Sequence, residues 1–466
     1  MTSHSERARQ WVHVGSGAFA LTLRALTWWQ AAALAAFALA FNALVLPRIG
    51  GRRLYRPIDH ARGFPVGILL YPLAVLFLIL IFPLRLDIVA AAWAILALGD
   101  GAATLVGRAT TRNAKLAKTP KKNGSAAFAD LAFLAGPLPW NRDKTVAGTT
   151  AFIACGAIGG VALAWWTRPS ITPQPSLAFV VIAPVVAAIA AAFVETIPVR
   201  LDDNVSVPAT AGFALWMATE ISPAAIEASR AAMLSTLPVA IAINALVAWL
   251  GHRMRTVSMA GAIGGAIVGT IIYAGAGGGA WVLLLLTFVA ASAASRLGLQ
   301  RKVLLGIEED RGGRRGAGNA IANCGVAALA AIAAATTTNH ADALLALAAA
   351  LTAGGSDTVA SEIGKAFGRS TFLVTTLGRV KPGTPGAMSL EGTAAGLVAA
   401  LALGAAGVPL GVIPATALFA VVIGATAGAL IESALAATLE GPGILNNDML
   451  NFINTAAAAV VAMAIA

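Results

Sequence analysis

Runs of apolar residues recur along the whole chain, each about 18 to 22 residues long, which is enough to cross the hydrocarbon core of a bilayer as a helix. A helix of a soluble protein keeps a polar stripe along one face, and the segments 31–46 and 456–466 have none. The pattern therefore predicts an all-α fold of the polytopic integral membrane class.

The apolar runs predict about fourteen or fifteen transmembrane helices. In the first half they lie near residues 28–46, 64–82, 87–106, 146–166, 177–196 and 231–250, with shorter segments near 126–139 and 208–220. In the second half they lie near 257–274, 279–296, 318–336, 341–359, 388–407, 411–437 and 448–466. A short basic segment at 252–255 separates regions of different motif content. We therefore predict a polar N-terminal segment, 1–27, and two helical-bundle domains, 28–250 and 251–466.

Composition supports the membrane class and adds an orientation. Hydrophobic residues fill 58% of the 466 positions and charged residues only 11%, with a mean hydropathy of +0.80, whereas soluble domains carry roughly 25% charged residues. The net charge of +11 comes from basic residues clustered in loops between spans. Such loops are normally cytoplasmic, so we expect a protein of a bacterial inner membrane. Bases between spans argue against a nucleic-acid partner and serve as topology signals, phosphate ligands or both.

The first half carries a polar constellation that suits phosphoryl transfer. Asp100 interrupts an apolar run, where a carboxylate is costly unless it has a functional partner, and Glu195 ends a later span. Carboxylate and amide oxygens are the ligands that Mg²⁺ prefers, and lysines neutralise nucleotide phosphates. We expect Asp100 to be catalytic and to bind metal. Further candidates are the phosphate-binding Lys121 and Lys122 and the metal-binding Asp202, Asp203 and Asn204.

The second half concentrates acids, bases and hydroxyls between residues 354 and 393. We expect Asp357 and Glu362 to be catalytic and to share one metal, because Gly354 and Gly355 can loosen the helix that carries both acids. The other metal candidates, at helix starts, are Glu391, Asn447 and Asp448. The candidates for binding nucleotide or phosphate are Lys365, Arg379, Lys381, Ser389, Asn319 and Asn323.

Motifs in residues 40–250 resemble those of the polyprenol kinases, such as phytol kinase and dolichol kinase, within the superfamily of CTP-using lipid kinases and cytidylyltransferases. The resemblance rests on LGDGAATLVGR, KKNGSAAF and LDDNVSVP, which follow in the family's order. An upstream segment around His60 lacks the family's intact Arg-Lys pair. The resemblance implies phosphate transfer from CTP, or another nucleoside triphosphate, to a membrane-embedded isoprenoid alcohol.

Longer motifs in residues 258–466 resemble a membrane family catalogued as a domain of unknown function, whose plant member is the phytyl-phosphate kinase. They are RGAGNAIANCGVAA, GGSDTVASEIGK, TTLGRVKPGTPGAMSLEGTAAGL and LNNDMLNFINT. The chain departs from the family in Asn319, where glutamine is usual, and in the Lys-Pro pair before GTPG. This resemblance implies a kinase acting on a prenyl monophosphate.

Together these features favour a bifunctional isoprenoid salvage kinase. It would phosphorylate a prenyl alcohol, such as phytol or geranylgeraniol, to the monophosphate and then to the diphosphate, with CTP or another nucleoside triphosphate and Mg²⁺. A lipid cytidylyltransferase is an alternative, because that chemistry occurs in the same superfamily. A transporter or flippase is another, because intramembrane acids also occur in proton-coupled carriers. The first half, with the shorter motifs, could also act only as a scaffold.

Overall fold

The computed structural model describes residues 11–49, 65–117, 136–138, 141, 143–197, 202–306, 314–441 and 444–466. The chain divides into two compact units, Met1–Thr219 and Glu220–Ala466. The division falls before the predicted domain boundary, so the helix that begins at Pro223 belongs to the second unit. How the chain divides into functional domains stays a prediction.

Unit 1 is a helical bundle, and one short helix in it, Leu86–Ala94, is almost fully buried. Its helices are α1 Trp28–Ala40, α2 Val66–Ile81, α3 Leu86–Ala94, α4 Gly101–Ala117, α5 Val146–Thr167, α6 Leu177–Thr196 and α7 Asp203–Glu220. A π-helical turn, Ile95–Asp100, joins α3 to α4. Small residues let α5 approach this turn closely, since Gly156 packs against Gly99 and Ile95. Turns of this kind are frequent at functional sites, and this one ends on Asp100.

Unit 2 is a larger bundle with a small sheet at one end. Its helices are α8 Pro223–Arg253, α9 Met259–Arg296, α10 Leu299–Leu305, α11 Ala317–Thr336, α12 His340–Phe367, α13 Leu390–Gly407, α14 Leu418–Leu435 and α15 Asn447–Ile465. Its strands, β1 Thr371–Leu373, β2 Arg379–Val380 and β3 Ala387–Ser389, form an antiparallel sheet in the order β2-β1-β3. Helix α12 is central and packs against α9, α11, α13, α14 and α15.

Helix α9 reverses direction at Gly277, which has φ 86° and ψ 175°. This backbone region is essentially restricted to glycine. Gly261, near the start of α9, packs against the backbone carbonyl of Arg315, and the Arg315 side chain donates a 3.4 Å hydrogen bond to Ser295 Oγ, near its end. A straight helix would separate the two ends by roughly 50 Å at 1.5 Å per residue. Segments 259–276 and 278–296 are therefore an antiparallel pair, which matches the two predicted spans.

Four helices of unit 2 begin at the same end, where α12 finishes. Gly261 of α9 contacts the residues that precede α11, Gly318 of α11 packs against the carboxylate of Asp448 in α15, and Gly364 of α12 packs against Ser389, which precedes α13. We call this the polar end of unit 2. Because helix N-termini carry partial positive charge, this end favours anionic ligands.

The predicted fold class is confirmed. The described residues contain eleven helices that are long and apolar enough to cross a membrane, with α9 counted once. The 16-residue helix α2 is shorter than these, and α7 exists but is less apolar. Most of the predicted segment 126–139 lies outside the described residues. The three short strands were not predicted.

Candidate functional site

An acid pair lies within the membrane helices of unit 2. Asp357 is on α12 and Glu432 is on α14, and the charge of each carboxylate is close enough to act on the other. Lys365, two turns after Asp357 on α12, supplies a positive charge that acts on Asp357. Ionisable side chains in such segments are costly and usually mark a functional site.

Asn454 of α15 lies beside Glu432 and is fully buried. Gly428 of α14 leaves room for it, since the amide oxygen of Asn454 packs directly against that glycine. Within the described part of the chain, Glu432 Oε2 and both amide atoms of Asn454 make no hydrogen bond of normal geometry. Buried polar atoms are nearly always paired, and the Asn454 amide is close enough to Glu432 to act on its carboxylate, so these atoms are candidates for contacts with a bound ligand.

The donor set fits Mg²⁺. Asp357, Glu432 and Asn454 offer carboxylate and amide oxygens, which are hard ligands of the kind that this ion requires. Asn323 and Asn319 of α11 lie nearby, because Asn323 packs against Gly354, one turn before Asp357, and donates to the Asn319 carbonyl at 3.0 Å. The exposed Asn447 and the half-buried Asp448 begin α15 beside α11.

Glu362 pairs with two lysines in the structure. Helix α12 runs without a break from His340 to Phe367, so Gly354 and Gly355 do not loosen it. Glu362 Oε2 lies 2.7 Å from Lys302 Nζ, and Glu362 Oε1 lies 2.9 Å from Lys365 Nζ. Each Glu362 oxygen thus pairs with an ammonium group, and its predicted catalytic and metal-binding roles stay predictions. Glu432 is the second acid beside Asp357.

The buried ion pair predicts an asymmetry between the two lysines. The side chain of Lys302 is 1% exposed and that of Lys365 is 30% exposed. Removing one partner of a buried pair typically costs about 3–5 kcal/mol. We expect Lys302→Met to lower the free energy of unfolding by about that amount, and Lys365→Met to lower it much less. Thermal unfolding in detergent measures both, and equal destabilisation by the two variants would contradict the assignment.

The residues around the small sheet have mixed roles. Ser389 is buried and caps α13, since its Oγ accepts a 3.1 Å hydrogen bond from the Gly392 N–H. Glu391 accepts from the Arg369 backbone N–H at 3.3 Å. These contacts give both residues structural partners, and their predicted phosphate and metal roles stay predictions. Arg379, with its guanidinium 5.7 Å from the centre of the Phe372 ring, and Lys381 are exposed.

The loop 381–386 contacts the end of α14 next to Glu432. Gly386 has φ 73° and packs against the Ser433 carbonyl and the Ala437 N–H. A side chain there would be strained and would overlap backbone atoms. The loop that begins with the predicted phosphate-binding residue Lys381 is therefore adjacent to the acid pair.

Gly386→Ala tests this contact. We expect it to lower stability by more than the roughly 1–2 kcal/mol of left-handed strain alone, and to reduce catalytic activity because the end of α14 must move. Gly411→Ala is the matched control, since Gly411 has φ 70° and no atom near an added Cβ. Melting temperatures and turnover of both variants separate overlap from strain. Equal effects in the two variants would show that the loop contact is unimportant.

A second acid cluster lies in unit 1. Carboxylate oxygens of Asp100, Glu195 and Asp203 all lie within 4.8 Å of one another. Lys144 Nζ lies 2.6 Å from Glu195 Oε1 and 3.4 Å from Asp203 Oδ2. His13 Nε2 lies 3.3 Å from Asp100 Oδ2. The three carboxylates offer oxygen donors of the kind that Mg²⁺ prefers.

Lys144 stays charged in this cluster. Burial lowers its pKa, but the neighbouring carboxylates of Asp203 and Glu195 more than offset that effect, so the pKa lies above its ordinary value of 10.5. The folded state therefore gains stability from the charged lysine at all pH values below 10.5, and loses it only as the pH rises through the higher folded pKa.

The neighbouring residues Asp202 and Asp203 have different roles. Asp202 Oδ1 accepts hydrogen bonds from the Asn204 N–H at 3.0 Å and from Asn204 Nδ2 at 2.7 Å, and so caps the start of α7. Asn204 also donates to the Gly67 carbonyl at 3.3 Å. Of these three predicted metal ligands, the structure brings only Asp203 into the acid cluster. Lys121, Lys122 and His60 lie outside the described residues.

Sequence reasoning missed Glu432, Asn454, Lys302, Lys144 and His13. Glu432 carried a usable signal, because it interrupts the apolar run of α14 as Asp100 interrupts its own. The sequence could not distinguish Lys302 and Lys144 from the other basic residues between spans, because only the fold shows which basic residues become buried.

Acids held inside two bundles of apolar helices define a polytopic integral membrane protein with intramembrane polar sites. The model of the family described as Integral membrane protein DUF92 matches residues 242–459, and the chain belongs to this family. All of the matched region lies in unit 2 and includes the Asp357–Glu432 pair.

Curated relatives agree with this assignment. An uncharacterized membrane protein of Synechocystis is 39% identical over 43% of this chain and 78% of its own length. Protein VTE6, chloroplastic, of Arabidopsis thaliana is 35% identical over 48% of this chain and 70% of its own. An uncharacterized membrane protein of Methanocaldococcus jannaschii is 32% identical over 52% of this chain and 98% of its own length. No solved structure matches the chain significantly.

Proposed function

We propose that unit 2 is a prenyl-phosphate kinase, which transfers the terminal phosphoryl group of a nucleoside triphosphate to a prenyl monophosphate. The observation that carries the proposal is the group of half-buried Asp357 and Glu432 with buried Asn454, in which Glu432 Oε2 and both Asn454 amide atoms make no hydrogen bond of normal geometry. The motifs that resemble those of phytyl-phosphate kinases support the substrate class. The Asp357–Glu432 pair lies within the segment that the family model matches.

In the proposed reaction, a phosphate oxygen of the prenyl monophosphate attacks the γ-phosphorus of the nucleotide. The bond from that phosphorus to the oxygen bridging it to the β-phosphate breaks, and the nucleoside diphosphate leaves. Asp357, Glu432 and Asn454 would hold Mg²⁺, which would supply positive charge against the nucleotide phosphates. Positioning and charge stabilisation supply most of the rate in such reactions.

The bases of unit 2 divide between structure and binding. Lys302 pairs with buried Glu362 and fixes α10 against α12. Lys365 reaches the same carboxylate and also acts on Asp357, so it links the ion pair to the site. Exposed Arg379 lies on β2 and exposed Lys381 begins the loop 381–386 beside the acid pair, and we propose that both contact the nucleotide. By the positive-inside rule, this end faces the cytoplasm of a bacterial cell.

For unit 1 we propose the preceding step, phosphorylation of the prenyl alcohol. The cluster of Asp100, Glu195 and Asp203 supports it, together with motifs that resemble those of CTP-dependent polyprenol kinases. Lys144 would hold the carboxylates of Glu195 and Asp203, which it contacts, in fixed positions. A lipid monophosphate stays in the bilayer, so a chain carrying both activities would keep its intermediate at high effective concentration.

The test uses the purified full chain in lipid nanodiscs with Mg²⁺ and geranylgeraniol or geranylgeranyl monophosphate. CTP, ATP and UTP labelled at the γ-phosphate are compared. The proposal expects label in prenyl mono- and diphosphate and release of nucleoside diphosphate. Release of pyrophosphate with a nucleotide-linked lipid would instead identify a cytidylyltransferase. An absence of nucleotide consumption with any substrate would contradict both enzymes and favour a transporter.

A further inference from the structure

Unit 2 contains a cleft of about 130 Å³ that the acid pair does not occupy. It lies between α8, both halves of α9 and α11. Its walls are almost wholly apolar and include Val247, Leu284, Phe288 and Trp281. Of the polar wall residues, Arg315, Asn319 and Asn323 cluster toward one end, and Asn244 lies at the other, where its Oδ1 accepts a hydrogen bond from Trp281 Nε1. An apolar cavity with a few convergent polar groups is the usual form of a small-molecule site.

Glycine keeps the cleft open along α9. Gly261, Gly265 and Val268 line one wall at helical spacing, over about 10 Å at 1.5 Å per residue. At Gly265 an added Cβ would meet no atom within 4 Å. The space beside Gly265 is therefore open, and a larger side chain there would enter the cleft without displacing the backbone.

The polar end of the cleft adjoins the acid pair. Asn323 lines the cleft and also packs against Gly354, which lies one turn before Asp357 on α12. Residues 256–258 pair with the segment around Arg315, so the starts of α9 and α11 lie side by side here. Two helix N-termini and a guanidinium favour an anion at this end.

The far end is defined by Trp281. On the second half of α9, the wall residues run from Phe288, nearer the polar end, to Trp281, two turns deeper. Trp281 is fixed, because its Nε1 donates a 2.9 Å hydrogen bond to the buried Asn244 Oδ1 and its ring packs edge-on against Tyr273. A rigid aromatic at this depth limits how far an apolar chain can extend.

We propose that this cleft holds the isoprenoid chain of the lipid monophosphate, with the phosphate at the Asn319–Asn323 end and Trp281 as the limit on chain length. The inference rests on the proposed kinase function of unit 2 and adds where the substrate lies. The apolar walls would hold the tail, and the anion-favouring end would hold the phosphate. Because Asn323 lines this end and also packs against α12 near Asp357, the phosphate would lie toward Asp357 and Glu432, where transfer is proposed.

Narrowing the cleft gives the kinetic test. Gly265→Ala and then Gly265→Leu should lower kcat/KM for geranylgeranyl monophosphate in steps, by tenfold or more for leucine, because small changes of pocket volume are worth roughly 10- to 200-fold. Geranyl monophosphate, with half the carbons, should lose much less. Ile267→Phe is the control, since Ile267 is 56% exposed on the same helix and does not line the cleft. Equal losses for both substrates would overturn the chain-length assignment.

A binding test separates this inference from the kinase proposal. A prenyl monophosphate with a diazirine at the tail end is photocrosslinked to the full chain in nanodiscs, without nucleotide. Labelled peptides should contain residues 281–288, and geranylgeranyl monophosphate should compete, whereas phosphatidylglycerol should not. Gly265→Leu should abolish the label. Labelling elsewhere, or equal competition by the phospholipid, would overturn the cleft assignment. Specific labelling without any phosphoryl transfer would overturn the kinase function and leave the lipid site standing.

Discussion

Replacing Glu432 by glutamine is expected to stop the conversion of a prenyl monophosphate to the diphosphate. The amide keeps the size of the side chain but removes the charge of one of the two neighbouring carboxylates in the membrane helices. Losing a preorganised electrostatic contact of this kind costs about 100- to 1,000-fold in turnover. Single-turnover assays with labelled nucleotide, at saturating prenyl monophosphate, measure the loss directly.

The stability of the Glu432→Gln variant should not fall, because a neutral amide is easier to bury than a carboxylate. Phosphorylation of the alcohol should continue, so the monophosphate should accumulate. Glu227→Gln makes the same chemical change at a side chain that is 73% exposed in the same unit, and it should leave both steps intact. If the Glu432→Gln variant makes diphosphate at the normal rate, the acid pair is not the site of transfer.

The second large effect is expected from a comparison of adjacent residues in unit 1. Asp203→Asn should abolish phosphorylation of the alcohol, because Asp203 is part of the cluster with Asp100 and Glu195. Asp202→Asn should retain most of the activity. Asparagine caps a helix about as well as aspartate, and capping is the contact that Asp202 makes at the start of α7. Rates of monophosphate formation from geranylgeraniol give the comparison.

Both variants should still convert added monophosphate to diphosphate, which shows that unit 2 is folded and active. Loss of alcohol phosphorylation in the Asp202→Asn variant alone would reverse the two roles. Normal phosphorylation in both variants would mean that the cluster does not carry the first step, as expected if unit 1 were only a scaffold.

The sequence located Asp357 and Asp100 because the cost of a carboxylate in an apolar run can be judged without a structure. It could not choose the partner of Asp357. Glu362 is near in sequence and Glu432 is far, but only the packing of α14 against α12 brings Glu432 close. Glu362 instead meets Lys302, whose burial depends on how the short helix α10 folds back.

The spans of unit 2 were predictable because their length and hydrophobicity are set by the bilayer. The three strands were not, since two or three residues carry too little pattern to distinguish a strand from a loop. The neighbours Asp202 and Asp203 show a similar limit. Their spacing cannot reveal which of them caps α7, because that depends on where the helix begins.

The reversal at Gly277 also bears on how unit 2 is made. A single residue connects segments 259–276 and 278–296, so no loop is available to stay on the far side of the membrane while the second segment is still being synthesised. We therefore expect the two segments to enter the bilayer together as one hairpin. In that case this part of the chain inserts in a single event, and no charged residue between positions 259 and 295 has to cross the membrane.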